Sequence, residues 1–470
     1  MQVLWITGKQ VDGAVSSPHY PDFLKGVEVE MEKLGHKIHF IFFSDTMKKS
    51  AMTKNNFFYE PEKIEIKNTD KIAAKLENLY KFTFKQAYFP DQIQVSKYQD
   101  YRKIHLPEKE FRNLSHLIPR FLYLEKVIEK SAADVVFCDQ SSEVEMEFGR
   151  SICLKKKKMF LRQAELFLGQ GVFYQQFEFG KEVMALPVLN KGVTMPQAKK
   201  FVDDFVKNNR SSYARRPRVP VGIKSYYLPR LLRFYRYPQF VKLALISPFL
   251  FIEEKVFKKL YEDKYDSSKP YLFFGFHLPT ESTISLRGLP YMTQLSLIES
   301  ISRVLPIGYY LYVREHPDWR KHFPFSYLKK IKELPCVRII PPKIPISTVL
   351  KNSRGVLAYG ATTGIEALLY GKPVLSFAPN VYYGLHKSVG YCSNLFELGA
   401  KLVKLVNTKV EKEDTYKYIH KMLRSTSDIS LDAGTFLSGE DSKNKAQIFT
   451  KELLSSIDYL KTTKHEKFES

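Results

Sequence analysis

Apolar positions in the first third of the chain switch between two spacings. Residues 2–7 form the unbroken apolar run of a strand buried on both faces. Phe23, Val27, Met31 and Leu34 then recur at helical spacing, Gly35 supplies a helix stop, and 37–43 (KIHFIFF) reads as a second strand. A helix is expected at 114–130. Strands are expected at 134–138 (DVVFC) and 158–161, with a helix from Ser142 between them. From 271 the alternation restarts, with strands at 271–275 (YLFFG), 309–314 (YYLYVR), 336–340, 355–358 (GVLA) and 373–377, and helices at 295–304 and 363–370. Leu395, Leu398, Leu402 and Leu405 share one face of a later helix, and 443–460 reads as a terminal helix before a solvated tail. Strands alternating with helices predict parallel sheets covered on both faces. The expected fold class is therefore α/β, with two Rossmann-like domains facing a cleft and a C-terminal helix. The first domain is placed at 1–205, a basic linker or helical segment at 206–265, the second domain at 266–440, and the C-terminal helix and tail at 441–470.

Charge changes this picture at one place. The chain of 470 residues has an ordinary globular balance, 44% hydrophobic and 26% charged, but a formal net charge of +23. An excess of that size predicts an anionic partner: a nucleotide, an acidic polymer, an acidic membrane surface or nucleic acid. Between Asp204 and Glu253 no acidic residue occurs, while Arg230, Arg233, Arg236 and Lys242 are interleaved with Tyr226, Tyr227, Leu231, Leu232, Phe234 and Tyr235. Such a stretch suits an anionic headgroup boundary or an acidic acceptor, and equally an interdomain helix pair with solvated arginines. Cys138, Cys153, Cys336 and Cys392 form no CxxC pair, which fits a reducing compartment and neither a zinc site nor a disulfide framework. The start lacks a basic n-region, and no run approaches the roughly 18 apolar residues of a membrane span. The expected location is cytoplasmic, with peripheral association at the inner face of the cell membrane.

Candidate chemistry gathers where strands end, the edge at which open α/β sheets bind ligands. Arg314-Glu315-His316-Pro317 follows directly on an apolar strand. Arg314 supplies a fork of donors for phosphate, His316 can donate to phosphate or protonate a leaving group, and Pro317 stiffens the turn. Gly360, Thr362, Thr363 and Gly364 make a small-residue turn into a helix whose free amides suit an anion, and Glu366 could accept from ribose hydroxyls. Thr363 and Glu366 also satisfy a capping box, which needs no ligand. His277, Thr280, Glu281 and Ser282 form a hydroxyl-rich loop after the strand at 271–275. In the first domain Asp139 and Glu143 follow a strand, as general bases for an acceptor hydroxyl or as helix caps (Asp139 or Ser142). Walker, GxGxxG, HExxH and GxSxG motifs are absent, and no DxD-type acidic cluster stands at a strand end. No metal is therefore expected.

Three segments in order, YLFFGFHLPTEST, LYVREHPDW and AYGATTGIEALLYGKPVL, resemble the bacterial capsule polysaccharide biosynthesis proteins, which include the Kdo-transferring enzymes of capsule assembly. The resemblance covers about 271 to 376. The GIEALLYGKPVL block is shared by many glycosyltransferases and epimerases of the two-Rossmann (GT-B) type, and the His-Pro step joined to a downstream Thr turn is narrower. The resemblance implies that His316, Thr362 and Thr363 meet the phosphate of a CMP-activated acidic sugar such as Kdo. One departure is Phe276-His277-Leu278-Pro279, where the family often carries Gln-Pro. The leading expectation is a metal-independent glycosyltransferase, inverting or retaining, with a nucleotide-sugar donor on the second domain and a glycan or glycolipid acceptor on the first. The alternatives are a sugar-nucleotide epimerase of the same fold, a teichoic-acid-type polyol-phosphate transferase, and a nucleic-acid-binding protein. The last is disfavoured because no nucleic-acid module is present.

Overall fold

The first apolar run becomes the centre of a sheet. In the computed structural model, β1 (Gln2–Thr7) lies between β2 (Lys37–Phe42) and β4 (Val135–Cys138), so that Trp5 faces Phe40 on one side and Phe137 on the other. The structure describes residues 1–7, 20–43, 56–59, 68–88, 116–139, 144–166, 170–176, 182–189, 192–209, 257, 259–262, 265–277, 284, 288, 291, 293–315, 325–341, 343–360, 362–378, 385–427, 429, 431 and 439–463.

The first sheet runs β3-β2-β1-β4-β5-β6-β7, with β3 (Asn56–Phe58), β5 (Met159–Leu166), β6 (Gln170–Gln176) and β7 (Glu182–Met184) completing it. The first five strands in this order pair in parallel, and β6 and β7 pair antiparallel. One face is covered by α2 (Thr69–Tyr80), α3 (Leu117–Lys130) and α4 (Val144–Lys155), and the other by α1 (Tyr20–Lys33). The α1 helix stops where glycine predicted it, with Gly35 at φ 73. One feature differs from the sequence reading. The strand expected at 158–161 continues to Leu166, and β6 and β7, which the sequence reading did not place, add to the sheet beyond it. The helix expected from Ser142 is described from Val144, and Ser142 lies outside the described residues.

Before the second sheet comes α5 (Met195–Lys207). Its first turn is stabilised by the Gln197 side chain, which accepts the Thr194 N–H at 2.7 Å, and by Pro196, whose missing N–H costs nothing there. The second sheet contains β8 (Tyr271–Gly275), β9 (Tyr310–Arg314), β10 (Val337–Ile339), β11 (Gly355–Ala358), β12 (Val374–Ser376) and β13 (Val389–Tyr391). Its order is β10-β9-β8-β11-β12-β13, parallel throughout. Counted within the unit this is 3-2-1-4-5-6, the Rossmann order, which reverses direction between β8 and β11. The helices are α6 (Gln294–Arg303), α7 (Phe325–Lys332), α8 (Ile346–Asn352), α9 (Thr362–Leu369), α10 (Leu398–Asn407) and α11 (Lys412–Ser425). Alternate residues of the strands feed two cores, one under α6, α7 and α10 and one under α5, α8, α9 and α11. Leu398, Leu402 and Leu405 are buried as expected, whereas Leu395 stands in a short 3-10 turn at 39% exposure.

Two segments pack away from their sequence neighbours. Residues 195–205, grouped by the sequence with the first domain, belong to α5, which packs against α11 and α9 of the second. The closing helix α12 (Gly439–Thr462) returns to the first sheet, against α1 and β6. Its Phe449 ring lies 5.4 Å from Trp5, 5.5 Å from Phe23 and 5.5 Å from Phe173. The basic stretch carrying Arg230, Arg233 and Arg236 lies outside the described residues. Among the described residues no helix is long and apolar enough to cross a membrane.

A buried histidine makes this architecture sensitive to pH. His386 is 3% exposed, its Nδ1 accepts the Ser388 N–H at 3.1 Å, and its Nε2 lies 3.3 Å from Thr415 Oγ1. Burial holds its pKa below the ordinary value; Asp414 opposes this and Lys387 adds to it. His39 is shifted the same way by burial and Lys37. Above pH of about 6.5 both rings are neutral in the folded and the unfolded chain. As pH falls below that value, the unfolded chain takes up protons that the folded one refuses, and stability is lost. Denaturant unfolding between pH 8 and pH 5 should show this decline, with a shallower slope in His386→Asn. An unchanged slope in that variant would remove His386 from the account.

Candidate active site

The second sheet's carboxyl edge is organised around the reversal between β8 and β11, because neighbouring strands there send their connections to opposite faces and leave a crevice. Three strand ends meet around it. Gly275, the last residue of β8, is opposite Arg314, the last residue of β9. The chain leaving β8 is tied to β9 by the Phe276 N–H, which donates to the Arg314 carbonyl at 2.8 Å. Arg314 is 9% exposed and its side chain belongs to the α8–α9 face, in alternation with Val313 on the other. Beside it Gly275 presents no side chain; among the described residues a Cβ there would meet the Phe273 ring, at 3.6 Å.

At the end of β11 the chain turns through Tyr359 and Gly360 into α9. Gly360 has φ 82, in the left-handed region that disfavours a Cβ, so glycine is required for the turn. Thr362 and Thr363 are half-buried in the first turn of α9, and Gly364 is buried. The helix is described from Thr362, which places Thr363 in its first turn. Glu366 is 2% exposed and stands one turn before Tyr370, whose hydroxyl burial, then Glu366, push up to about 12.

His277 follows β8 and is 5% exposed. Its ring is edge-on to Tyr359, with centroids 5.1 Å apart. The Gln294 side chain brackets its backbone: Oε1 accepts the His277 N–H at 3.0 Å and Nε2 donates to the His277 carbonyl at 2.9 Å. The Tyr359 hydroxyl donates to the Tyr291 carbonyl at 2.7 Å. Glu315, 1% exposed, accepts the Tyr261 hydroxyl, so the acidic residue of the Arg-Glu-His-Pro step is held in the interior.

The structure thus brings His277, Arg314, Gly360, Thr362 and Thr363 to one edge of one parallel sheet. His316, Pro317, Thr280, Glu281 and Ser282 lie outside the described residues. Sequence reasoning missed Gln294 and the ring of Tyr359; a buried glutamine at a helix start has no periodic signal. In the first sheet, Asp139 follows β4 at the corresponding reversal, between β1 and β4. It accepts the hydroxyl of Tyr20, the first residue of α1, and burial followed by Asp139 raises that hydroxyl's pKa. Residues 140–143, between Asp139 and the first described residue of α4, lie outside the described residues. Glu143 lies outside the described residues. A cavity of about 140 Å³ between Glu262, Lys269, Tyr310 and Arg338 lies at the opposite edge of the second sheet. There the Lys269 and Arg338 cations lie 5.0 and 5.2 Å from the Tyr310 ring.

The segment that builds this edge has known relatives. Residues 234–386 match the capsule polysaccharide biosynthesis protein family. The match contains the three segments on which the resemblance rested, ends at His386, and bears that resemblance out. No curated protein matches the chain in sequence. Among solved structures, the chain is similar to the Thermosulfurimonas dismutans KpsC beta Kdo 2,7 transferase. The identity is 13%, with 70% of this chain and 89% of that chain covered, at a TM-score of 0.34. It is also similar to the UDP-GlcNAc 2-epimerase of Methanocaldococcus jannaschii, at 13% identity, 90% and 99% coverage and a TM-score of 0.28. The capsule family segment includes both strand ends that flank the crevice, β8 and β11, and the adjoining Arg314.

Proposed function

We propose that this protein is a glycosyltransferase of surface polysaccharide synthesis, taking a nucleotide-activated sugar on the second sheet and a glycan or glycolipid acceptor on the first. The observation that carries the reading is the β8–β11 crevice. An arginine, a left-handed glycine turn and a hydroxyl-bearing helix start converge at one sheet edge, inside the segment that matches a polysaccharide-synthesis family. Those groups suit a phosphate: a guanidinium fork, free helix amides and two threonine hydroxyls.

In the reaction, the bond between the sugar's anomeric carbon and the phosphate oxygen breaks, and one forms from that carbon to an acceptor oxygen. Arg314, with His316, stabilises the charge that develops on the leaving phosphate. On an inverting course Asp139 or Glu143 takes the acceptor hydroxyl proton. The donor is an acidic sugar on a CMP carrier, no metal is required, and the protein acts at the cytoplasmic face of the membrane. Arg230, Arg233 and Arg236 pair there with anionic lipid or with an acidic acceptor.

Thermal unfolding with CMP, CDP, UDP, GDP or ADP tests the donor. A nucleotide at 100 times its dissociation constant adds about 2.7 kcal/mol of stability, and CMP is expected to give the largest shift. Release of nucleotide only when an acceptor glycan is added, reduced roughly 100-fold in His316→Ala, is the expected result for transfer. Interconversion of a nucleotide sugar without acceptor would replace this reading with an epimerase. Near-normal turnover in folded His316→Ala would remove His316 from the chemistry.

A further inference from the structure

The end of β8 contains a device that strand pairing does not explain. Along a parallel strand, each residue turns its N–H and C=O to one side, and the next residue turns its own to the other. Phe276 turns its N–H to β9, where Arg314 accepts it. His277 therefore turns its pair toward β11. The β11 pairing has ended by then, since its last partner on β8 is Phe274. Here the chains diverge and the crevice opens, so the backbone of His277 would be left with neither strand nor water.

Gln294 fills that place. It is fully buried, and its amide both accepts from and donates to His277, as a neighbouring strand would. The same segment secures the other wall, because Tyr291, three residues earlier, accepts the hydroxyl of Tyr359. The rings of His277 and Tyr359 meet between these two anchors. A buried amide aligned this closely is costly to misplace, because removing it takes a partner from two backbone groups at once.

We propose that Gln294 is a positioning residue of the active site: it extends β8 across the topological reversal and holds His277 against the phosphate of the nucleotide sugar. This rests on the reading of the crevice as the donor site. Gln294 touches no substrate, and its effect runs through His277 and the Tyr359 wall. Its loss should lower kcat and leave nucleotide affinity nearly intact, because Arg314 and the α9 start do not depend on it.

The test is a double-mutant cycle on the full chain, with nucleotide release and CMP binding both measured. Gln294→Leu and His277→Ala are each expected to lower kcat by about 100-fold, with KM changed by less than about threefold. The double variant should be no slower than the worse single one, the non-additivity expected of groups acting as a unit. Gln294→Glu keeps the length of the side chain and the acceptor for the His277 N–H. It should retain more activity than Gln294→Leu and provides the measurement if the latter fails to fold. Effects that multiply in the double variant would overturn the proposal, as would a Gln294→Glu enzyme with unchanged kcat. If His277→Ala is fully active while Arg314→Gln is not, the donor-site reading survives and the positioning role falls. If neither matters, the donor-site reading itself is lost.

Discussion

Arg314→Gln is expected to lower kcat/KM about 100-fold or more, the loss associated with one preorganised donor to developing charge. The guanidinium is set by the last register pair of β8 and β9, and Gly275 opposite has no side chain to shield it. Because Arg314 is the end of a central strand, its backbone is fixed by the sheet whatever its side chain, so the folded state should persist in the variant. Arg314→Lys should also fall well short of the parent, since an ammonium cannot reproduce the planar fork. Steady-state nucleotide release, with denaturant unfolding as the control for folding, decides the matter. A folded Arg314→Gln enzyme within about threefold of the parent kcat/KM would take Arg314 out of the site, since loss of a working donor costs far more than that.

The second large effect falls on stability. Phe449→Ala should destabilise the first unit by about 3–5 kcal/mol, the usual cost of removing a buried aromatic ring. Phe449 is fully buried and stacks among Trp5, Phe23, Phe137 and Phe173, which come from β1, α1, β4 and β6. A residue near the end of the chain therefore completes the core that its first strand begins. Nucleotide binding should be retained at temperatures where the variant remains folded, because among the described residues α12 packs mainly on α1 and β6. A loss below about 1 kcal/mol would mean that the ring's cavity collapses at little cost, or that α12 is an appendage.

Much of the fold was legible because the strands are buried on both faces. Runs such as VLWIT, YLFFG and GVLA have no polar alternation to obscure them, and all three became central strands. The candidate edge was legible for the same reason: a polar tripeptide or glycine turn directly after such a run must stand at its carboxyl end. What failed was local where tertiary context won. Strands β6 and β7 went unread, because β6 sets Val172, Phe173 and Tyr174 among Gln170, Gln175 and Gln176 and β7 is three residues long.

By itself the sequence determined the strand–helix alternation, the two-sheet architecture, the placement of Arg314 and the Gly360 turn at strand ends, and the resemblance of 271–376 to the capsule polysaccharide biosynthesis proteins. These follow from periodicity and short-range sterics, which neighbouring residues settle among themselves. Only the tertiary structure decided that α5 packs against α9 and α11 and α12 against α1 and β6, that Tyr20 holds Asp139, and that Gln294 takes the place of a missing strand beside His277. Each of these joins residues far apart in the chain or unmarked by any pattern. Their partners are chosen by which buried polar group or apolar face would otherwise remain unsatisfied once the sheets have formed.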